Sequence, residues 1–253
     1  METLIISPML LALLFFIVAL IYSSVGLGGG SSYTALLAIF GANPLAIPSI
    51  SLSLNVIVTS IASTNFLRSG HVRTRLILPF VITSIPMAYV GGAVELPRKV
   101  FYLLLMASLS VVAVRIYAPM KTTLAVVLSS RQQIIISVLI GALLGFIAGA
   151  VGIGGGIYLI PIIILFNLGT AKEAAAAGAI FIWVNSFVGI IGRYVSNRLE
   201  FDYSIPIILA VIAGGFLGSQ LGSSRLSPRT MEKLLGVIIV LAIVLLARKL
   251  WGS

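Results

Sequence analysis

Val25-Gly26-Leu27-Gly28-Gly29-Gly30 recurs as Val151-Gly152-Ile153-Gly154-Gly155-Gly156, 126 positions later. Each copy crowds four glycines into five residues, ends one long apolar stretch and precedes a short one. The short pieces, 31–41 and 157–168, close near Phe40 and Phe166. A long apolar stretch with an internal asparagine follows each of them, Asn55 in the first half and Asn185 in the second, now at an offset of 130. The change in offset predicts a four-residue insertion near Asn167 to Thr170. Leu96-Pro97-Arg98 then aligns with Ser227-Pro228-Arg229 at an offset of 131. An ordered series of matches at nearly one spacing means a unit that fills the chain twice. Such internal repeats are a common plan of transporters, with pseudo-twofold symmetry between the halves.

The solvent of this repeat is lipid. Of 253 residues, 60% are hydrophobic and 9% charged, and the mean hydropathy is +1.20. Soluble domains carry about a quarter charged residues. A bilayer core of about 30 Å needs about 20 apolar helical residues. Eight stretches meet that approximately: 4–25, 45–67, 76–94, 100–117, 134–151, 174–195, 204–224 and 230–248. Barrel strands would alternate in polarity; these runs do not. The first stretch lacks a basic n-region and is too long for a cleaved signal peptide. The expected fold is therefore an all-α polytopic membrane protein of two homologous halves. It has eight full transmembrane helices and two short broken helices after the glycine turns. The first repeat covers 1–120, a polar linker 121–133, and the second repeat 134–253.

The orientation of the halves follows from the short pieces. If they are re-entrant, each half crosses four times and the halves are parallel. If they cross, each half crosses five times and the halves are inverted. With Arg68, Arg73 and Arg75 in the cytoplasm, both arrangements place ten basic residues inside and six outside, so the positive-inside rule does not choose. Broken helices at corresponding places accompany inverted repeats, which tips the reading to inversion.

Chemistry gathers at the glycine turns. Glycine tolerates positive φ, and a helix that opens on such a turn aims free N–H groups and a positive dipole end outward. That end favours anions. Irregular backbone at membrane depth must be buried in protein or line a wet cavity. The expected substrate site is Gly28, Gly29, Gly30, Ser31 and Ser32 with Gly154, Gly155 and Gly156. Asn55, Thr59 and Asn185 join it from the long helices. Ser51, Asn55 and Thr59 recur every four residues on one stripe. Packing is the competing reading, since interhelical hydrogen bonds in membranes contribute about 1 kcal/mol. Arg193, two helical turns beyond Asn185, is expected either at the cavity mouth, attracting anions, or snorkelling to the interface. Gly141, Gly145 and Gly149, and Gly214, Gly218 and Gly222, have the spacing of small-residue packing faces.

Other classes are disfavoured. All six carboxylates fall in or beside loops, whereas cation carriers and proton pumps usually hold one deep in a span. Glu173, at a helix start, is expected to be a capping charge. With no cysteine and one histidine, metal clusters and most nucleophile–base pairs are absent, and no phosphate loop occurs. The chain is not expected to be an enzyme and needs no cofactor. The expected partners are a small anionic substrate and the lipid bilayer, with no nucleic acid; a homo-oligomer stays open. An anion channel and a non-transport scaffold or assembly protein are the alternatives to a carrier.

The paired glycine turns, the duplicated unit and the Pro-Arg helix starts resemble the TauE/SafE family of membrane anion permeases. The likeness covers essentially the whole chain. Pro161 keeps the proline that follows the family's turn in the second half; Ala35 stands in its place in the first. The resemblance implies a multi-pass protein of the plasma membrane, acting as a secondary transporter. The implied substrates are small sulfur-containing anions, sulfite or organosulfonates, moved outward.

Overall fold

The computed structural model describes residues 6–24, 26–117, 129–200, 205–221 and 228–251. Among these, ten α-helices and no strand form. They are α1 (Pro8–Ser24), α2 (Gly30–Ile39), α3 (Ala46–Arg68), α4 (Thr74–Ala93) and α5 (Arg98–Tyr117), then α6 (Ser130–Val151), α7 (Gly156–Leu165), α8 (Ala171–Val195), α9 (Ile205–Leu221) and α10 (Pro228–Trp251). Every expected apolar stretch coincides with one of them. Helices satisfy their own backbone hydrogen bonds, which a lipid environment demands. α3, α4, α8 and α6 from Arg131 onward are each long and apolar enough to cross a membrane by length and composition. α1 and α7, and parts of α9 and α10, are apolar but shorter.

Two caps set helix starts. Ser129 accepts from the Gln132 N–H while the Gln132 side chain accepts from the Ser129 N–H, a reciprocal capping box. It begins α6 at Ser130, so 130–133 of the expected linker are helical; 121–128 lie outside the described residues. Thr170 and Glu173 form the same box at α8, which gives Glu173 its expected capping role.

α6 packs on α4 and α1 packs on α9. Counted within each half, both are a first helix against the other half's fourth. α2 packs on α3 and α10, and α7 on α8 and α5. α3 meets α8, and α5 meets α10. The directions can be read from contacts. A Cβ on Gly141, Gly145 or Gly149 would meet Phe80, Ser84 or Ala88 backbone respectively, so α4 and α6 run parallel. Gly214 faces Phe16 to Leu20, and Gly218 faces Leu20, which sets α1 and α9 in the same sense. α3 and α8 are antiparallel. Trp183 Nε1 donates to Ser60 Oγ at 2.9 Å, and Ser49 Oγ donates to the Arg198 carbonyl at 3.4 Å.

The inserted residues are not where the asparagine match placed them. Phe40 to Ala46 and Phe166 to Ala171 are connections of nearly equal length. The first half passes from Arg68 to Thr74 between its long helices, the second from Val195 to Ile205. The extra residues belong to that later connection, and matching Asn55 to Asn185 misplaced them.

Candidate functional site

Both glycine turns break the chain into a short helix. Gly26 and Gly29 have φ of 78° and 93°, and Gly152, Gly154 and Gly155 have 88°, 83° and 77°. These left-handed values are what a side chain resists. The turns differ at their middle glycine, since Gly154 is left-handed and Gly28 is not. α2 and α7 open at Gly30 and Gly156, each 10 residues long, or about 15 Å at 1.5 Å per residue. The first N–H groups of a helix have no intrahelical acceptor. No backbone acceptor among the described residues takes those of Gly28, Gly29, Gly30 and Ser31, or of Gly154, Gly155, Gly156 and Ile157.

The turns enter from opposite ends of α3 and meet at its middle. A Cβ on Gly26 would lie 2.6 Å from the Phe66 ring, and one on Gly152 2.7 Å from Pro48 Cα. A Cβ on Gly30 would come within 2.6 Å of the Ile153 carbonyl oxygen, so the turns lie against each other. Asn55, fully buried, stands between them. Its Oδ1 is 2.6 Å from a Cβ built on Gly28, and its Nδ2 is 2.9 Å from one built on Gly154. Nδ2 reaches the Gly152 carbonyl at 3.4 Å, and Oδ1 has no partner among the described residues. Ser51, one turn earlier, donates to the Gly152 carbonyl at 2.8 Å or to the Gly30 carbonyl at 3.1 Å. Thr59 turns its hydroxyl back to the Asn55 carbonyl at 2.6 Å, and its methyl faces Gly28.

Ser31 and Ser32 are tied to a residue the sequence reading missed. The Tyr22 hydroxyl of α1 lies 2.6 Å from Ser31 Oγ and 3.1 Å from Ser32 Oγ. Its only sequence signal is a tyrosine one helical turn before a glycine turn.

Asn185 does not mirror Asn55. The α8 atoms nearest a Cβ on Gly154 belong to Ile182 and Ser186, and on Gly156 to Ile182 and Gly178. Asn55 and Thr59 thus face the first turn as Ile182 and Ser186 face the second, an offset of 127 rather than 130. Asn185 sits on the neighbouring stripe and back-bonds its own helix, Nδ2 to the Phe181 carbonyl at 2.8 Å. Its Oδ1, like Ser186 Oγ, is buried without a partner among the described residues.

Arg193 neither joins the turns nor snorkels. It is only 5% exposed. Its Nη1 and Nη2 donate at 3.3 Å to the Leu45 and Ala150 carbonyls, at the start of α3 and the last turn of α6.

A pair of helix-opening glycine turns thus lies buried across Asn55. The family profile described as Sulfite exporter TauE/SafE matches residues 11–246. The chain belongs to the TauE/SafE family. A relative from Sinorhizobium fredii, named probable membrane transporter protein y4hK, is 35% identical over 92% of this chain and 95% of its own length. YjnA of Bacillus subtilis, also named a probable membrane transporter protein, is 25% identical over 86% of this chain and 91% of its own. MJ0441 of Methanocaldococcus jannaschii, likewise named, is 32% identical over 40% of this chain and 41% of its own. No solved structure gives a significant match. The TauE/SafE chain is thus a multi-pass membrane transporter of the plasma membrane.

Proposed function

We propose that this chain is a secondary transporter that exports small sulfur-containing anions, sulfite or organosulfonates. The anion is held near the membrane midplane between the two glycine turns. One observation carries the reading: two helix starts whose first N–H groups have no backbone acceptor among the described residues lie against Asn55, one beside its Oδ1 and one beside its Nδ2. Dipole ends and backbone donors of this kind favour negative charge. Asn55 Nδ2 adds a side-chain donor, and Ser186, whose Oγ has no partner among the described residues, adds one from α8. Asn185, which the sequence placed at the anion, instead donates to the Phe181 carbonyl of its own helix. The family description names sulfite export, and the anion-favouring backbone is consistent with it.

Eight full helices and two broken ones then arrange as inverted halves about a pseudo-twofold axis. The reciprocal packing of α1 on α9 and α6 on α4, the parallel course of each pair and the antiparallel α3 and α8 support this. So does the entry of the turns from opposite ends of α3. In such inverted repeats, alternating access rocks one bundle against the other around a fixed site.

The test is sulfite flux in proteoliposomes. A carrier gives saturable exchange, accelerated by sulfite on the far side. Flux without that trans-stimulation identifies a channel, and no flux or anion-dependent stabilisation identifies a scaffold.

A further inference from the structure

A second cluster of polar groups lies at the end of the molecule opposite Arg68, Arg73 and Arg75. A small cavity there is bounded by the start of α3 at Pro48, the last turn of α6 at Ala150, the residues leading into α5, and Arg193 and Arg198. Two guanidiniums line it. Arg193 is 95% buried by its 5% exposure, and no carboxylate among the described residues pairs with it. Its Nε has no partner, although its two terminal nitrogens are held by carbonyls. Arg198 binds Glu95 through Nη2 at 3.1 Å, while its Nη1 is buried and unpartnered. Glu95 is 61% exposed on its side chain, so water screens it. Glu200, the other nearby carboxylate, accepts from Asn43 Nδ2 at 3.3 Å.

A buried guanidinium hydrogen-bonded only to neutral carbonyls, with Glu200 acting on it from a distance rather than in a direct pair, is poorly compensated, which is costly inside a protein. A capping role at the end of α6 explains Arg193 Nη2, the Leu45 carbonyl takes Nη1, and Nε and Arg198 Nη1 are left unexplained. Guanidinium N–H groups match the oxygens of a small oxyanion, often two at a time. The helix start at Arg98 brings a positive dipole end to the same wall. The cavity also abuts the second glycine turn, because Pro48 lines it and contacts Gly152. Asn55 is seven residues further along α3, about 10 Å at 1.5 Å per residue.

We infer that Arg193 and Arg198 form a second, outer binding site for a small oxyanion such as sulfite, a sulfonate or phosphate, from which the anion passes to the central glycine turns. The inference rests on the transporter reading for its anion and its path, and the two sites fail separately.

The experiment is equilibrium dialysis of purified, lipid-free protein in detergent, with sulfite and, in parallel, sulfate as probes. Variants are accepted only if they elute monodisperse with an unchanged helical spectrum. Asn55→Leu weakens the central site about tenfold or more and leaves the outer one. Against that background Arg198→Gln is expected to weaken the remaining binding at least tenfold. Glu95→Gln, which frees Arg198 and removes the competing negative charge, is expected to tighten it severalfold. A merely structural ion pair predicts no such gain. Arg193 is left intact because it also caps α6. Unchanged binding in Asn55→Leu with loss in Arg198→Gln alone keeps the outer site and discards the central one. Complete loss in Asn55→Leu with no effect of Arg198→Gln overturns the outer site. So does no binding of either probe to the wild-type protein at tens of millimolar. Vesicles of phosphatidylglycerol form the last arm: binding of that lipid with none of either soluble anion also overturns it.

Discussion

Ser51 and Asn55, one helical turn apart on α3, each touch both glycine turns, and they answer different questions. Asn55 has donor capacity to spend on a ligand. A hydrogen bond to a charged group contributes roughly 1.5–3 kcal/mol, and about 1.4 kcal/mol is a factor of ten in affinity. Asn55→Leu is therefore expected to weaken sulfite binding by about tenfold or more, measured on folded, purified protein. Unchanged affinity would make Asn55 a packing residue. Ser51 is committed to the Gly152 and Gly30 carbonyls. Ser51→Ala removes a buried hydrogen bond to carbonyls that keep Asn55 Nδ2 and Thr34 Oγ1 as donors, a loss of about 0.5–1.5 kcal/mol, so it should lower the thermal midpoint more than it lowers affinity. The polar stripe Ser51, Asn55 and Thr59 was legible from its four-residue spacing. Its counterpart on α8 was not. The residue opposite Asn55 is Ile182, whose apolar side chain carries no polar signal, whereas the polar signal on α8, Asn185, lies three residues on. Arg193 could be placed along the helix but not assigned its partners, because Leu45 and Ala150 offer backbone carbonyls that no sequence pattern marks.

At the scale of elements, the glycine stripe Gly141, Gly145 and Gly149 announced itself by spacing but not by partner. The parallel contact with α4 depends on tertiary packing between helices separated by all of α5. Added side chains there meet backbone rather than flexible tips: on Gly145 the nearest atoms are those of Ser84, and on Gly149 those of Ala88 and Gly92. Backbone cannot step aside without moving the helix, and overpacking a close contact costs typically 1–3 kcal/mol or more. Gly145→Leu and Gly149→Leu are expected to lower the thermal midpoint or abolish monodisperse expression. Gly70→Ala is the useful contrast for space, since nothing lies within 4 Å of its Cβ position, although its φ of 70° adds local strain. Stability of the α6 variants equal to wild type would mean that α4 and α6 do not pack as described. The turn glycines carry both constraints. Gly29→Val would place a branched side chain at a φ of 93° and against the Tyr33 ring, and Gly155→Val would do the same at Phe181. Each should reduce sulfite binding at least as much as Asn55→Leu.

At the scale of the whole molecule, the duplicated turn made two halves legible, while charge counting left their relative orientation undecided. What the sequence lacked was direction. Contacts supply it: the first turn begins beside Phe66 at one end of α3, and the second begins beside Pro48 at the other. A re-entrant first piece would return the chain to the end of α1 before α3 began, and would set Gly26 beside Ala46 rather than Phe66. The chain instead runs down through the glycine turn and α2 to reach the start of α3. In the proposed inverted arrangement each half makes five passes, and the second half starts where an odd number of passes leaves it. With Arg68, Arg73 and Arg75 holding their connection in the cytoplasm by the positive-inside rule, the end of α10 emerges on the opposite face. The chain has no native cysteine, so single reporters are unambiguous. Ser69→Cys is expected to react with a membrane-impermeant maleimide only after the cells are opened, and Leu250→Cys to react in intact cells. Reaction of Ser69→Cys in intact cells would invert the whole assignment. Protection of both positions until lysis would mean an even number of passes between them, with α7 re-entrant, and the halves would then be parallel.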